Sequence, residues 1–481
     1  MKREQDKKSN KKNKKKNPEI KVVTWFFTLL FLGMAGYITH YSVTHQQELI
    51  NNSYNGRQEV LLAQNSRGSI YSADGQVLAE SVENESGKEV RNYPFQNLFS
   101  HVVGYSTNGR LGVEAQANYY LINSNAPLSD KAALDVQGAK YPGDSVYTTL
   151  DVELQQVAST ALGVYQGAII VTEPSTGKIL AMVSKPDFDP NQIDALWNEL
   201  VEDTESSVLL NRVTQGLYPP GSTFKIITSL EYIRENPETY QDYHYNCTGS
   251  ITKGEDRIQC YHGSVHNSIG FSRSFAKSCN TSFANIGFSL DRAAFADTLD
   301  DLLFGENLPV VFPYSISRVD MSADTGDSEM MQISIGQGTT SITPLQLNMI
   351  TCSIANKGVL MKPYVVDCVK NNVGNTVKSF SPSAYGSLMS EEEAGILGEL
   401  MTGVVEEGTA SRLKGLSYTA AGKTGSAEYG TVKGDSHAWF TGYAPAENPE
   451  ICVTIIIEGA GAGGDYAVPI AKRLFDAYFD V

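Results

Sequence analysis

An uncharged apolar run, Val22 to Thr39 (VVTWFFTLLFLGMAGYIT), limits most strongly what this chain can fold into. Its 18 residues carry no charge, and the apolar tone continues past His40 to Val43. As a helix, that length crosses the hydrocarbon core of a bilayer, which takes roughly 20 residues. The preceding KKSNKKNKKK is strongly basic. By the positive-inside rule it predicts a cytoplasmic N-terminus. A cleaved signal peptide has a shorter apolar region and a small-x-small cleavage site after it. No such clean site follows here, so the run is expected to stay as a signal anchor. Residues 1–21 are then a cytoplasmic tail, 22–43 the transmembrane segment, and the rest is exported.

Charge follows the same division. The first sixteen residues hold nine Lys/Arg against Glu4 and Asp6, a local +7, while the whole chain carries −16. The remainder therefore carries about −23. That balance argues against nucleic acid as a partner, because neutralising phosphates takes clustered Lys and Arg. The whole chain holds 25 Tyr, 18 Phe and 3 Trp, too many for it to be a solvated coil throughout.

Along the exported part, residues 44–66 are polar and rich in Gln and Asn. RGSIYSADGQVLAE (67–80) then predicts two short strands around an Asp74-Gly75 turn. Val146–Leu150 predicts a strand, and Asp151 a cap for a helix through Leu162. GAIIVTEPSTGKILAMVS (167–184) predicts a β-hairpin. ICVTIIIEGAG (451–461) reads as a buried strand, followed by a closing helix. Pro469 suits only a first helical turn, so that helix is expected to start near it. Strands at both ends with helical material between predict one domain whose sheet the C-terminus completes.

Six cysteines, Cys247, Cys260, Cys279, Cys352, Cys368 and Cys452, fall in the exported part, where disulfides persist. Cys247 and Cys260 could staple the polar loop between them. None forms a C-x-x-C pair, so the spacing predicts no zinc site and no metal.

The strongest local feature is YPPGSTFKIITSL (218–230). A Pro-Pro-Gly turn delivers Ser222 to the start of a helix, and Lys225 falls on the same face. A serine hydroxyl needs a neighbouring base to become a nucleophile. A lysine serves only when burial or a nearby cation lowers its pKa. Ser-x-x-Lys occurs six times, at Ser9, Ser175, Ser222, Ser250, Ser274 and Ser411. Only Ser222 follows such a turn and opens an apolar run. Ser278-Cys279-Asn280 lies 56 residues after Ser222, and Lys423-Thr424-Gly425 another 145 beyond Ser278. Ser-x-Asn also occurs at Ser53 and Ser106, both before Ser222, whereas Lys-Thr-Gly occurs once. The three elements in this order are the signature shared by penicillin-binding proteins and serine β-lactamases. Cys279, in the middle of the second element, reads as a small buried hydrophobe, and His437 as structural. Gly336-Gln337-Gly338 lacks the lysine of a phosphate loop and reads as tight packing beneath the site.

From about Arg67 to its end the chain resembles the class B penicillin-binding proteins, the monofunctional D,D-transpeptidases that cross-link peptidoglycan. The resemblance runs through RGSI and GQVLA (67–79), GVEAQANYYL (112–121), TLDVELQ (149–155), EPSTGKILAM (173–182) and KPDFDPN (185–191). It continues in NRVTQGLYPPGSTFK (211–225), SIGQGTTSITPLQL (334–347) and HAWFTGYAP (437–445). The compact region before Thr149 is most similar to short Gram-positive members of the penicillin-binding protein A type. The resemblance implies an α+β transpeptidase domain over 151–481, its sheet flanked by helices. A small membrane-proximal, dimerisation-like pedestal would span 44–150.

The resemblance also implies roles. Ser222 would be the acylated nucleophile and Lys225 its base. Ser278 and Lys423 would relay a proton to the departing D-alanine, and Asn280 would hold the donor peptide's amide. Thr424, Gly425 and Ser426 would form the substrate-binding strand, Thr424 and Ser426 taking the terminal carboxylate of D-Ala-D-Ala or of a β-lactam. The backbone N–H groups of Ser222 and Ser426 would form the oxyanion hole. No cofactor is expected. Since 44–150 leaves no room for a glycosyltransferase domain, the family suggests a SEDS-type polymerase in the membrane as partner.

Alternatives share these motifs. The Glu-x-x-Leu-Asn segment with which class A β-lactamases position water is not present between the second and third motifs. A D,D-carboxypeptidase differs only in its acceptor, which sequence barely addresses. A β-lactam sensor would need more membrane spans or a signalling domain, and a non-catalytic scaffold would tend to lose one motif.

Overall fold

The computed structural model of the chain describes residues 18–44, 57–203, 206–254, 256–429 and 435–481. The basic tail to Asn17 and most of the polar stretch after the anchor lie outside the described residues. Helix α1 (Pro18–Thr44) covers the apolar run, slightly longer than its sequence bounds. Its 27 residues span about 40 Å at roughly 1.5 Å each. Trp25, Phe26, Phe27, Leu29 and Phe31 are all exposed. Such a surface is stable in lipid and costly in water.

Residues 61–481 form one compact unit. Its first layer is a six-stranded sheet in the order 376–379, 366–370, 145–148, 70–71, 77–83, 89–92. The hairpin predicted at 67–80 is there, with Ile70 opposite Ala79. The sheet crosses the sequence boundary near residue 150, because Val366–Lys370 pairs antiparallel with Ser145–Thr148. Beneath it lies a buried charge cluster. Arg67 Nε donates to Glu114 Oε2 at 2.7 Å, and Arg91 Nε to Glu114 Oε1 at 2.6 Å. Arg67 Nη1 also donates to Asn118 Oδ1 at 2.6 Å. The RGSI and GVEAQAN segments thus meet through one carboxylate. Burial alone would push the Glu114 carboxyl up, yet the two guanidiniums hold it below its ordinary value.

Helix α2 (Val152–Leu162) begins where Asp151 accepts the Leu154 N–H at 2.8 Å, the cap the sequence predicts. Strands β1 (Gly167–Glu173) and β2 (Lys178–Lys185) form the predicted hairpin. Helices α3 (Lys225–Glu235), α4 (Asn280–Ser289) and α5 (Pro344–Ala355) follow. The chain ends with β3 (Ala421–Glu428), β4 (Ser436–Ala444), β5 (Ile451–Ile457) and α6 (Gly463–Tyr478).

These five strands make one antiparallel sheet in the order β3-β4-β5-β1-β2, so the C-terminus completes it as expected. Every residue of β4 and β5 is buried, which requires cover on both faces. Each buried Ile of β5 contributes about 1.5–3 kcal/mol. Helix α5 is tied to the sheet by polar groups that satisfy one another. Thr172 Oγ1 donates to Asn348 Oδ1 at 2.8 Å, and Thr351 Oγ1 shares 2.7 Å with Thr441 Oγ1.

One expectation fails. Pro469 lies inside α6, which starts at Gly463 and not near the proline. A proline there forfeits a helical hydrogen bond, a cost of about 3 kcal/mol. Burial of Ala467, Val468, Ile470, Ala471, Leu474 and Phe475 on the sheet outweighs that loss.

Candidate active site

The chain approaches the first motif through a turn braced from two sides. Gly221 N–H donates to the Gly336 carbonyl at 2.9 Å, and Trp439 Nε1 donates to Pro219 O at 3.1 Å. Gly336 has φ +71°, and a Cβ there would stand 2.2 Å from the Gly221 carbonyl oxygen. The GQG segment is thus close packing under the serine turn, as its sequence implies. Residues 221–224 form one 3₁₀ turn that runs into α3 at Lys225. In a 3₁₀ turn residues i and i+3 eclipse, so Ser222 and Lys225 share a face.

Ser278 follows the short helix Phe271–Ala276 with φ +55°. Cys279 N–H bonds back to Ser274 O at 2.9 Å, and Ser278 N–H to Phe275 O at 3.0 Å. That pair is a Schellman cap, whose left-handed residue is usually glycine. A serine there costs roughly 1–2 kcal/mol, which the surroundings must offset. The turn points Ser278 at two lysines.

Lys225 Nζ donates to Ser278 O at 2.8 Å, to Ser278 Oγ at 3.3 Å and to Asn280 Oδ1 at 2.7 Å. Lys423 Nζ donates to Ser278 Oγ at 3.0 Å and to Thr424 O at 3.0 Å. The Ser278 hydroxyl therefore lies between two ammonium groups, both fully buried. Burial pulls Lys225 down to about 8, and it pulls Lys423 well below its ordinary range, with the Lys225 charge adding to the fall. Among the described residues neither has a carboxylate to offset this. Partial compensation comes from aromatic rings: Lys225 stands 5.3 Å from the Phe283 centroid and Lys423 5.5 Å from that of Phe275. With its value brought to about 8, the Lys225 amine is available as a base in a pH range where an ordinary lysine is not.

The third motif runs along β3, an edge strand beside the serine turn. Gly425 is needed there, since a Cβ would meet Pro220 O at 2.9 Å and Thr223 Cγ2 at 3.0 Å. Thr424 Oγ1 shares a 2.5 Å hydrogen bond with Thr409 Oγ1, and Ser426 Oγ accepts the Gly463 N–H at 3.3 Å. Asn280 donates its amide to Gln259 O at 2.9 Å. Thr409, Gly463 and Gln259 carry no signal of their own in the sequence, because only the fold brings them to the motifs. His437 stacks on Tyr429 at 4.1 Å, and its Nδ1 accepts the Gly459 N–H at 3.2 Å, a structural position.

Residues 167–476 match the family described as the penicillin binding protein transpeptidase domain. Residues 67–146 match the penicillin binding protein A dimerisation domain. The chain is 32% identical over 453 residues to the peptidoglycan D,D-transpeptidase PbpA of Mycolicibacterium smegmatis, covering 87% of this chain and 91% of that one. It is 30% identical over 457 residues to the same-named protein of Mycobacterium tuberculosis, with the same coverage. Among solved structures, penicillin-binding protein A of M. tuberculosis as its imipenem acyl-enzyme superposes with a TM-score of 0.78. That match has 28% identity and covers 86% of this chain and 99% of that one. The D,D-transpeptidase domain of a peptidoglycan glycosyltransferase from Eggerthella lenta gives 0.77 at 29% identity, covering 87% and 99%. With more than half of its length matched, and its three motifs gathered at one sheet edge, this chain belongs to the penicillin-binding protein transpeptidase family.

Proposed function

We propose that the protein is a serine D,D-transpeptidase that cross-links peptidoglycan stem peptides and is covalently acylated by β-lactams. The observation that carries this reading is the Ser278 hydroxyl held between the buried Lys225 and Lys423 amines, with Lys225 one turn after Ser222 along the chain. Lys225, as the free amine, takes the Ser222 proton while Oγ attacks the carbonyl of the penultimate D-alanine. The N–H groups of Ser222 and Ser426 hold the oxyanion, worth several kcal/mol in such sites. Collapse of the tetrahedral adduct breaks the bond to the terminal D-alanine. Its amine leaves with the proton that Lys225 took, passed on through the Ser278 hydroxyl, which Lys423 holds in place by its own hydrogen bond. The acyl group then passes to an amine of a second stem peptide. Thr424 and Ser426 receive the substrate carboxylate, Gly425 keeps the strand close to the serine turn, and Asn280 holds the donor amide. Asn280 exchanges its bond with Gln259 for this.

The protein is anchored by α1, with residues 1–21 in the cytoplasm and the catalytic domain outside. Residues 44–150 serve as pedestal and 151–481 as transpeptidase domain. A SEDS-type polymerase in the same membrane supplies the glycan strands. With a D-Ala-D-Ala stem peptide and an acceptor amine, the full-length chain should release D-alanine and form the cross-linked dimer. Ser222→Ala should do neither. Dimer formation by Ser222→Ala would refute the proposal.

A further inference from the structure

Outside the serine and lysine constellation, one group of metal-ligating side chains converges among the described residues: Cys247, Cys260, His266 and Cys279. Cys247 ends the strand His244–Cys247, and Cys260 follows the strand Asp256–Gln259. His266 precedes the strand Asn267–Gly270, and Cys279 precedes α4. Their four ligand atoms all lie within 4.8 Å of one another, and the three cysteines are buried and free. Spacing along the chain hides this group, since 12, 5 and 12 residues separate its members.

The separations fit one coordination sphere. Cys247 Sγ to Cys260 Sγ is 3.7 Å, Cys260 Sγ to Cys279 Sγ is 3.7 Å, and Cys247 Sγ to His266 Nδ1 is 3.3 Å. Zinc–sulfur bonds of about 2.3 Å at tetrahedral angles put sulfurs about 3.8 Å apart. A disulfide would join two of the thiols and leave the third, with the imidazole, unused. Thr281 Oγ1 donates to Cys247 Sγ at 3.1 Å, the outer hydrogen bond that orients a thiolate ligand. The surrounding segment has few other anchors among the described residues: Ile258 reaches the main core, and Lys253 pairs with Asp327 at 2.7 Å. Its two nested hairpins meet α4 through a separate cluster of Cys247, Cys260, Cys279, Ile269 and Tyr245. A metal ion joining the two hairpins to the start of α4 would add its binding free energy to these contacts.

We propose that Cys247, Cys260, His266 and Cys279 bind one structural zinc ion that clamps the hairpin segment 244–270 onto the Ser278-Cys279-Asn280 motif. Binding takes the imidazole neutral and the thiols as thiolates, so three protons leave and the centre carries one net negative charge. The clamp acts where the catalytic geometry is most demanding. Cys279 stands between the left-handed Ser278 and Asn280, and Gln259, next to Cys260, holds the Asn280 amide. This positioning role, unlike the metal site itself, rests on the function proposed above.

The test uses the full-length chain purified in detergent. Elemental mass spectrometry should find about one zinc per chain. After chelation, one equivalent of Co²⁺ should give the intense visible bands and near-ultraviolet thiolate charge transfer of a tetrahedral site. Cys260→Ser and His266→Ala should each weaken metal binding about 10–100-fold. Chelation should slow labelled-penicillin acylation at least about tenfold, with zinc restoring it. The wild-type measurements stand even where a variant misfolds. Weak octahedral cobalt bands, no bound metal, or a Cys247–Cys260 disulfide in the peptide map would overturn the site. Acylation indifferent to zinc would overturn the clamp. An unreactive chain that still holds tetrahedral metal would uphold the site and reject the nucleophile assignment instead.

Discussion

Ser278 keeps a backbone conformation that L-residues avoid, with its hydroxyl between two buried amines. An exposed lysine would be protonated at every physiological pH and useless as a base. Here burial lowers both lysines, and Lys423 falls further because Lys225 stands nearby. Both causes are those the sequence analysis names for a lysine base, burial and a nearby cation, with burial the larger. A sign follows for the reaction. In the proposed mechanism only the neutral Lys225 accepts the Ser222 proton, so penicillin acylation should rise with pH and level off above about 8. Stopped-flow acylation between pH 6 and 9.5 would show this. A rate that is flat, or that falls across that range, would remove Lys225 as the base.

The serine turn, the capped turn at Ser278 and the edge strand β3 each place one motif, and glycine lets them approach. Gly336→Ala would push a methyl group into the Gly221 carbonyl at a left-handed φ. It should lower the acylation rate at least tenfold and destabilise by about 1–3 kcal/mol, read from acylation kinetics and denaturant unfolding. These elements were legible because local chemistry specifies them. Asp151 marked its helix, the Pro-Ser-Thr-Gly turn its hairpin, and the Pro-Pro-Gly turn its serine. What stayed hidden depends on contacts between distant segments. Thr409, Gly463 and Gln259 meet the motifs only after folding. The Cys247, Cys260, His266 and Cys279 group is assembled from two hairpins and a helix start. Pro469 was misread because its local cost is outweighed by a buried face that only the sheet provides.

At the scale of the molecule, a basic tail and apolar helix precede an acidic body whose important positive charges are buried. That body is not cleanly divided at residue 150, because strands 366–379 complete the sheet begun by residues 70–148. Its first layer depends on Glu114 between Arg67 and Arg91. Glu114→Ala leaves two buried guanidiniums unpaired and should cost about 3–5 kcal/mol. Because the folded carboxyl is held below its unfolded value, this contribution is complete above the ordinary carboxylate range. It is lost as pH falls through the folded value, so the gap between wild type and variant should narrow in acid. Unfolding of both proteins at pH 7 and pH 4 would show that, and a gap independent of pH would contradict it.

The central claim is that Ser222, served by Lys225, Ser278 and Lys423, is the acylated nucleophile. The most direct measurement incubates the full-length chain with penicillin and maps the adduct by peptide mass spectrometry. One long-lived adduct on Ser222, absent from Ser222→Ala, is predicted. An adduct on another serine, or rapid release of hydrolysed drug with none retained, would contradict it.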